Sequence, residues 1–174
     1  MDEELFDYIH RAKQGDRDAF TKLVERYKDQ VFRHAVGMLG DRMEAEDVSQ
    51  EAFIKAFYSI SNLEHKYAFT SWMIRIVSNL CKDRLKQRGK IVYADESIIR
   101  GEQLGYVESH ENLTIEEAMN RLTIEQREVV LLHDVQGFRY EEISEMVGVP
   151  LGTVKSRLFS ARLALRKELR KGDM

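Results

Sequence analysis

The sequence predicts an all-α chain: two small helical domains joined by a flexible acidic linker, the second a helix-turn-helix domain. Three observations lead there. Only one proline, Pro150, interrupts 174 residues. Apolar residues return every three or four positions over long stretches, which gathers them on one helix face, and strand-like alternation is nearly absent. Between residues 91 and 113 the periodicity dissolves into an acidic, glycine-dotted run (Asp95, Glu96, Gly101, Glu102, Gly105, Glu108, Glu111), longer than most connections inside a compact domain. The expected division is a first domain over 1–90, a linker over 91–113 and a second domain over 114–174.

The first long helix runs from Asp16 to Gly40, with Ala19, Phe20, Leu23, Val24, Tyr27, Val31, Phe32, Ala35, Val36 and Leu39 at helical spacing. Gly40 supplies its stop, because glycine adopts the left-handed conformation at a helix end without penalty. A second helix fits Met43 to Ile60, and a third fits Phe69 to Arg88, ending before Gly89. Thr114 reads as the N-cap of the next domain, with Glu116 and Glu117 in the first turn where carboxylates suit the helix dipole.

Composition narrows the function. The charged fraction is 33% and the net charge −3, unevenly distributed along the chain. A single cysteine, Cys81, rules out an internal disulfide framework and fits a reducing cytoplasm. The acidic N-terminal segment has no apolar run of the signal-peptide kind, and no stretch approaches the length of a spanning helix, so a cytoplasmic protein is expected. The sequence shows no metal-ligand cluster and no phosphate-binding glycine loop. His133-Asp134 and Cys81 belong to no catalytic constellation; His133 reads as a packing or DNA-facing residue and Cys81 as a small core residue. No catalytic residue, metal, cofactor or small-molecule substrate is expected, and the protein is not read as an enzyme.

The strongest local signal spans Tyr140 to Leu158. A short helix turns Ile143 and Val147 inward, Gly148 allows a left-handed residue, and Pro150 suits the start of the next helix. That is a helix-turn-helix, whose second helix enters the DNA major groove. Placed at helical steps, Leu151, Val154, Leu158, Ala161, Leu165 and Leu169 form a core face. Opposite lie Gly152, Thr153, Ser156, Phe159, Ser160 and Leu163. Small residues permit close approach to base edges, and an exposed Phe can meet a thymine methyl. Lys155, Arg157, Arg162, Arg166, Lys167, Arg170 and Lys171 surround this face and suit phosphate contacts.

Two helices of the first domain carry unusual surfaces. Around Glu46–Ile60, the residues Val48, Ala52, Phe53, Ala56, Phe57 and Ile60 make the buried stripe. The opposite face holds Asp47, Gln50, Glu51 and Lys55, with Ile54 and Tyr58 in its middle. Apolar residues so placed fit a protein partner, although isolated exposed apolar residues are also ordinary, and spacing leaves both readings open. On the next helix Phe69, Trp72, Met73, Ile76, Val77 and Leu80 share one face, while Arg75, Asn79, Lys82 and Lys86 form a stripe on another. A basic stripe with an amide in its middle can track a nucleic-acid backbone while Asn79 reads a base.

These segments, in this order, resemble the extracytoplasmic-function (ECF) class of bacterial RNA polymerase sigma factors over nearly the whole chain. The resemblance is carried by Gly15–Phe20 with Tyr27, by Met38–Asp41, by Glu44–Phe53 as the most specific signature, by Phe69–Ile76, and by Gly152–Leu158. It implies that the Asp47–Tyr58 helix docks on core RNA polymerase through Asp47, Gln50, Glu51, Ile54 and Tyr58. It implies that the Ser61–Ala68 loop and the following helix capture the unpaired −10 strand through Asn62, Lys66, Trp72, Arg75, Asn79, Lys82 and Lys86. It assigns duplex −35 recognition to Tyr140, Glu141, Thr153, Lys155, Ser156, Arg157, Phe159 and Ser160. Ser160 stands where many relatives carry a basic residue, so the −35 preference of a relative does not transfer. The implied partners are core polymerase, promoter DNA and a cognate anti-sigma factor, often membrane-bound. The rival reading is a stand-alone helix-turn-helix regulator, which would bind duplex DNA tightly without polymerase.

Overall fold

The computed structural model describes residues 2–99 and 114–171, and every regular element among them is helical. The first unit contains α1 (Glu3–Lys13), α2 (Arg17–Leu39), α3 (Arg42–Ser59), two 3-10 turns at Ile60–Asn62 and Lys66–Ala68, and α4 (Phe69–Ile99). The second contains α5 (Ile115–Asn120), α6 (Ile124–Val130) running into a π-helical turn at Leu131–Val135, α7 (Tyr140–Val147) and α8 (Leu151–Lys171).

Helix starts follow from local chemistry. Asp2, Asp16 and Asp41 accept from the backbone N–H groups of Leu5, Ala19 and Glu44, and Thr114 and Thr123 form reciprocal capping boxes with Glu117 and Gln126. Each such cap contributes about 1 kcal/mol by satisfying an orphan donor. Gly40 and Gly148 close α2 and α7 at φ 69° and 76°, conformations that a side chain would strain.

Three expectations need correction. The sequence reading placed no helix before Asp16, yet α1 buries Ile9 and Ala12 against the first unit. Gly89 does not end α4, which continues to Ile99 and takes in residues 91–99 of the expected linker. A glycine inside a helix costs only about 1 kcal/mol relative to alanine, and no proline follows to break the ladder. Residues 100–113, the rest of that linker, lie outside the described residues. In α7 Met146, not named from the sequence, is buried beside Ile143, and Val147 packs half-buried against the same core, as expected.

The apolar residues of both units merge into one core. A polar seam runs along the junction. Buried Arg127 of α6 donates to the carbonyls of Met119, Asn120 and Leu122 in its own unit and to Met38 at the end of α2. Beside it, Glu128, 2% exposed, accepts from the Lys82 ammonium of α4 at 3.1 Å. Buried His34 of α2 meets the Ser78 hydroxyl and the Gln136 amide, each at 2.6 Å, and Gln136 in turn accepts from Gln30. Leu131 fits against Gly37, where an added Cβ would come within 2.6 Å of its side chain.

Candidate nucleic-acid interface

Three separate surfaces carry the residues singled out above. On α3, Asp47, Gln50 and Glu51 are exposed, and Ile54 and Tyr58 stand out at 59% and 80% exposure. They border a shallow apolar depression floored by Phe20, Phe53 and Phe57, in which the Phe20 and Phe57 rings meet edge to face with centroids 5.2 Å apart. α3 is held to α4 by ion pairs from Arg84 to Glu51 and from Arg88 to Glu44, and Arg88 also donates to the Leu39 carbonyl. Arg84 and Arg88 therefore fasten helices together.

The second surface is the α4 face and the loop before it. Arg75, Asn79 and Lys86 are exposed together, and Asn62 and Lys66 are exposed on the loop. Trp72 is half-buried, its ring 5.8 Å from that of Phe69. Lys82 is the exception: its side chain is 22% exposed and its charge is taken up by Glu128. The loop leans on α1, where Lys13 donates to the Leu63 carbonyl and Phe6 lies beneath the Lys66 ammonium at 4.5 Å. Phe6, Ile9, His10, Lys13, Glu64, His65 and Lys66 line an open cleft of about 320 Å³. The α1 contribution had no sequence signal beyond helical spacing in a short acidic segment.

The third surface is the helix-turn-helix. The Ser144 hydroxyl donates to the Val149 carbonyl across the turn, and Glu142 accepts the Arg139 backbone N–H at the start of α7. Val154, Leu158 and Ala161 of α8 are buried, which fixes the roll of the helix. The roll leaves Lys155, Ser156 and Ser160 exposed around Phe159, itself 66% exposed, with Thr153 and Arg157 half-buried at the rim. Glu141 is exposed and Tyr140 half-buried against His133, whose Nδ1–H donates to the Phe138 carbonyl. His133 is thus a packing residue of the turn. Arg162 leaves the basic rim to pair with Asp134, and Leu169, expected on the core face, is 37% exposed where α8 outruns the domain.

Electrostatics argue against nucleophilic chemistry at Cys81. Burial, reinforced by nearby Glu128, pushes its thiol up to about 12, so it stays protonated and unreactive at neutral pH. Burial pushes His34 down to about 4, so its ring is neutral in the seam.

Comparison with known proteins bears on this geometry. The family model for sigma-70 region 2 matches residues 23–91 and that for sigma-70 region 4 matches residues 112–165. The chain is 34% identical to the ECF RNA polymerase sigma factor SigW of Bacillus subtilis over 93% of its length and 95% of the relative's. It belongs to the ECF sigma factors. This sigma factor is also 33% identical to the ECF sigma-E factor of Escherichia coli K12 over 95% of each chain. Its fold matches the sigma factor RpoE of Bartonella quintana, solved with the anti-sigma factor NepR, at a TM-score of 0.71 and 25% identity, covering 87% of this chain and 96% of that one. It also matches CnrH, solved with the cytosolic domain of CnrY, at a TM-score of 0.70 and 21% identity, covering 94% and 95%. As an alternative sigma factor it binds core RNA polymerase and directs promoter recognition and melting for transcription initiation. A stand-alone regulator is not favoured. No described helix is long and apolar enough to cross a membrane.

Proposed function

We propose a division of labour among the three surfaces. The α3 face, through Ile54 and Tyr58 with Asp47, Gln50 and Glu51 around them, docks on core polymerase. The loop with Asn62 and Lys66, together with Trp72, Arg75, Asn79, Lys82 and Lys86, holds the unpaired −10 strand. The α8 face around Phe159, with Thr153, Lys155, Ser156, Arg157 and Ser160, reads the −35 duplex, and Tyr140 and Glu141 at the start of α7 complete that contact. The two helical units, residues 1–99 and 114–174, act as the two promoter-binding domains, joined through 100–113. The factor works stoichiometrically and without turnover in the cytoplasm. Strand opening follows from binding the single-stranded state better than the duplex, a population shift that needs no hydrolysis. A cognate anti-sigma factor restrains it, as the pairing of a sigma factor with NepR in the Bartonella structure illustrates for that protein.

The observation that carries this reading is the exposure of Phe159 among small and basic residues on a helix whose other side is locked by Val154, Leu158 and Ala161. The test is transcription with core polymerase on promoters varied separately at the two elements. Phe159→Ala is expected to alter the ranking of −35 variants and leave that of −10 variants unchanged, and Asn79→Ala the reverse. Identical rankings for both mutants would overturn the assignment.

A further inference from the structure

The loop between α3 and α4 lies open to solvent. Ser61, Asn62, Glu64, His65 and Lys66 are exposed, and Leu63 alone among residues 61–66 is buried. Two short turns hold its backbone: the Leu63 N–H donates to the Ile60 carbonyl at 3.1 Å and the Ala68 N–H to the His65 carbonyl at 2.9 Å. Single 3-10 turns have poorer hydrogen-bond geometry than an α-helix and hold a chain weakly. Between them the Leu63 carbonyl accepts from the Lys13 ammonium at 2.5 Å, a contact that spans 50 residues of sequence. A hydrogen bond from an ionised donor is roughly twice as strong as a neutral one. Lys13 is also half-buried, so water competes less for its ammonium. The Phe6 ring adds a second tie, 4.5 Å from the Lys66 ammonium.

Both ties come from α1, and α1 is itself fixed to the body of the first unit. Ile9 and Ala12 are buried in its core. Asp2 pairs with Arg26 of α2, and Arg11 pairs at 2.8 Å with Asp16, the residue that caps α2. The place of the Lys13 ammonium is therefore set by the core, and the ammonium passes that placement on to the loop. Base reading depends on such placement. A loop already held in one shape loses less entropy on the right strand and refits less readily to a wrong one. A relaxed loop still binds, but discriminates less.

We propose that Lys13 is a positioning residue for −10 recognition: by holding the Leu63 carbonyl it fixes the shape in which Asn62 and Lys66 meet the unpaired strand. Lys13 does not touch the DNA. α1 is then part of what sets promoter specificity as well as part of the core. The proposal rests on the reading of this loop as a −10 contact, and the test keeps the two ideas apart.

Lys13→Met keeps the length of the side chain and suits a helix but removes the donor, whereas Lys13→Arg keeps a charged donor. In the full chain, hydrogen exchange of the Leu63 and Ala68 amides, followed by nuclear magnetic resonance, should quicken about tenfold in Lys13→Met and stay near the parent in Lys13→Arg. With core polymerase, initiation is then compared on a promoter that this factor uses and on derivatives changed singly within the −10 element. The preference for the original −10 element should fall about fivefold in Lys13→Met and recover in Lys13→Arg, with the ranking of −35 derivatives unchanged. Unchanged exchange or an unchanged −10 preference in Lys13→Met, or no recovery in Lys13→Arg, would overturn the proposal. So would an equal loss on every promoter with a weaker salt dependence, the mark of a direct phosphate contact. If Asn62→Ala and Lys66→Ala leave the −10 preference untouched, the loop reading fails and takes the positioning role with it. If they lower it and Lys13→Met does not, the loop reading stands and the positioning role alone fails.

Discussion

Acidification should loosen the domain seam through His34. The ring is fully buried between Ser78 and Gln136, and burial, then the nearby Lys82 charge, lowers its pKa from 6.5 to about 4. The folded state therefore prefers the neutral ring. A group whose pKa is depressed on folding contributes its full stability above its unfolded value and loses it as pH falls toward the folded one, so the window runs from 6.5 down to about 4. Over the whole window the shift corresponds to roughly 3 kcal/mol. Linkage gives roughly 1 kcal/mol lost by about pH 5.5 and roughly 2–3 kcal/mol by about pH 4.5. Urea unfolding of the parent and of His34→Gln, across this range, isolates the effect. Glutamine keeps hydrogen-bonding capacity toward Ser78 and Gln136 and carries no titrating proton, while acid losses from carboxylates such as Asp2 and Asp16, whose pKa values are lowered by hydrogen bonds, are common to both proteins. The parent should lose about 2 kcal/mol more than the variant between pH 7 and pH 4.5. Parallel pH profiles for the two proteins would refute the reasoning.

Other substitutions test other parts of the structure. Arg127→Met removes the side-chain donor to the carbonyls of Met38, Asn120 and Leu122, while Met119 keeps the backbone N–H of Leu122, and urea unfolding should show a loss of about 2–4 kcal/mol. Thr123→Ala removes the cap of α6 and should cost about 1 kcal/mol in the same measurement. Lys86→Ala should weaken open-complex formation on all promoters alike, scored by permanganate reactivity of unpaired thymines; an effect confined to some promoters would mean base reading instead of backbone contact.

Much of the first-order architecture was readable because it is local. Asp16 with Gly40, Thr114 with Glu117, and Gly148 with Pro150 each mark a helix end within a few residues, and the roll of α8 follows from the spacing of Val154, Leu158 and Ala161. Ile54 and Tyr58 were ambiguous from spacing, and the packed ring floor beneath them explains why they stay outside: Phe20, Phe53 and Phe57 already occupy the inner side. The seam was not readable. His34 and Gln136 are 102 residues apart, Arg127 and Met38 are 89, and no local period links such pairs. Ile74 is absent from the expected core face; its full burial shows only once α4 is packed among its neighbours. Lys82 shows the same limit, since a lysine at a stripe position reads as a phosphate contact until the carboxylate from the other domain is seen beside it.

The most direct test of the central claim is multi-round transcription by purified core polymerase, with this sigma factor or its Ile54→Asp variant, on upstream sequences from its own genome. Burying Ile54 contributes about 2 kcal/mol, and a desolvated carboxylate in its place adds a penalty of similar size, so core affinity should fall about 100-fold or more. Initiation from a defined subset of sequences, dependent on the parent protein and lost with the variant at equal concentration, is the result the account predicts. Initiation unaffected by Ile54→Asp would contradict α3 as the polymerase contact. No initiation at all, with tight binding of duplex DNA by the protein alone, would contradict the account as a whole.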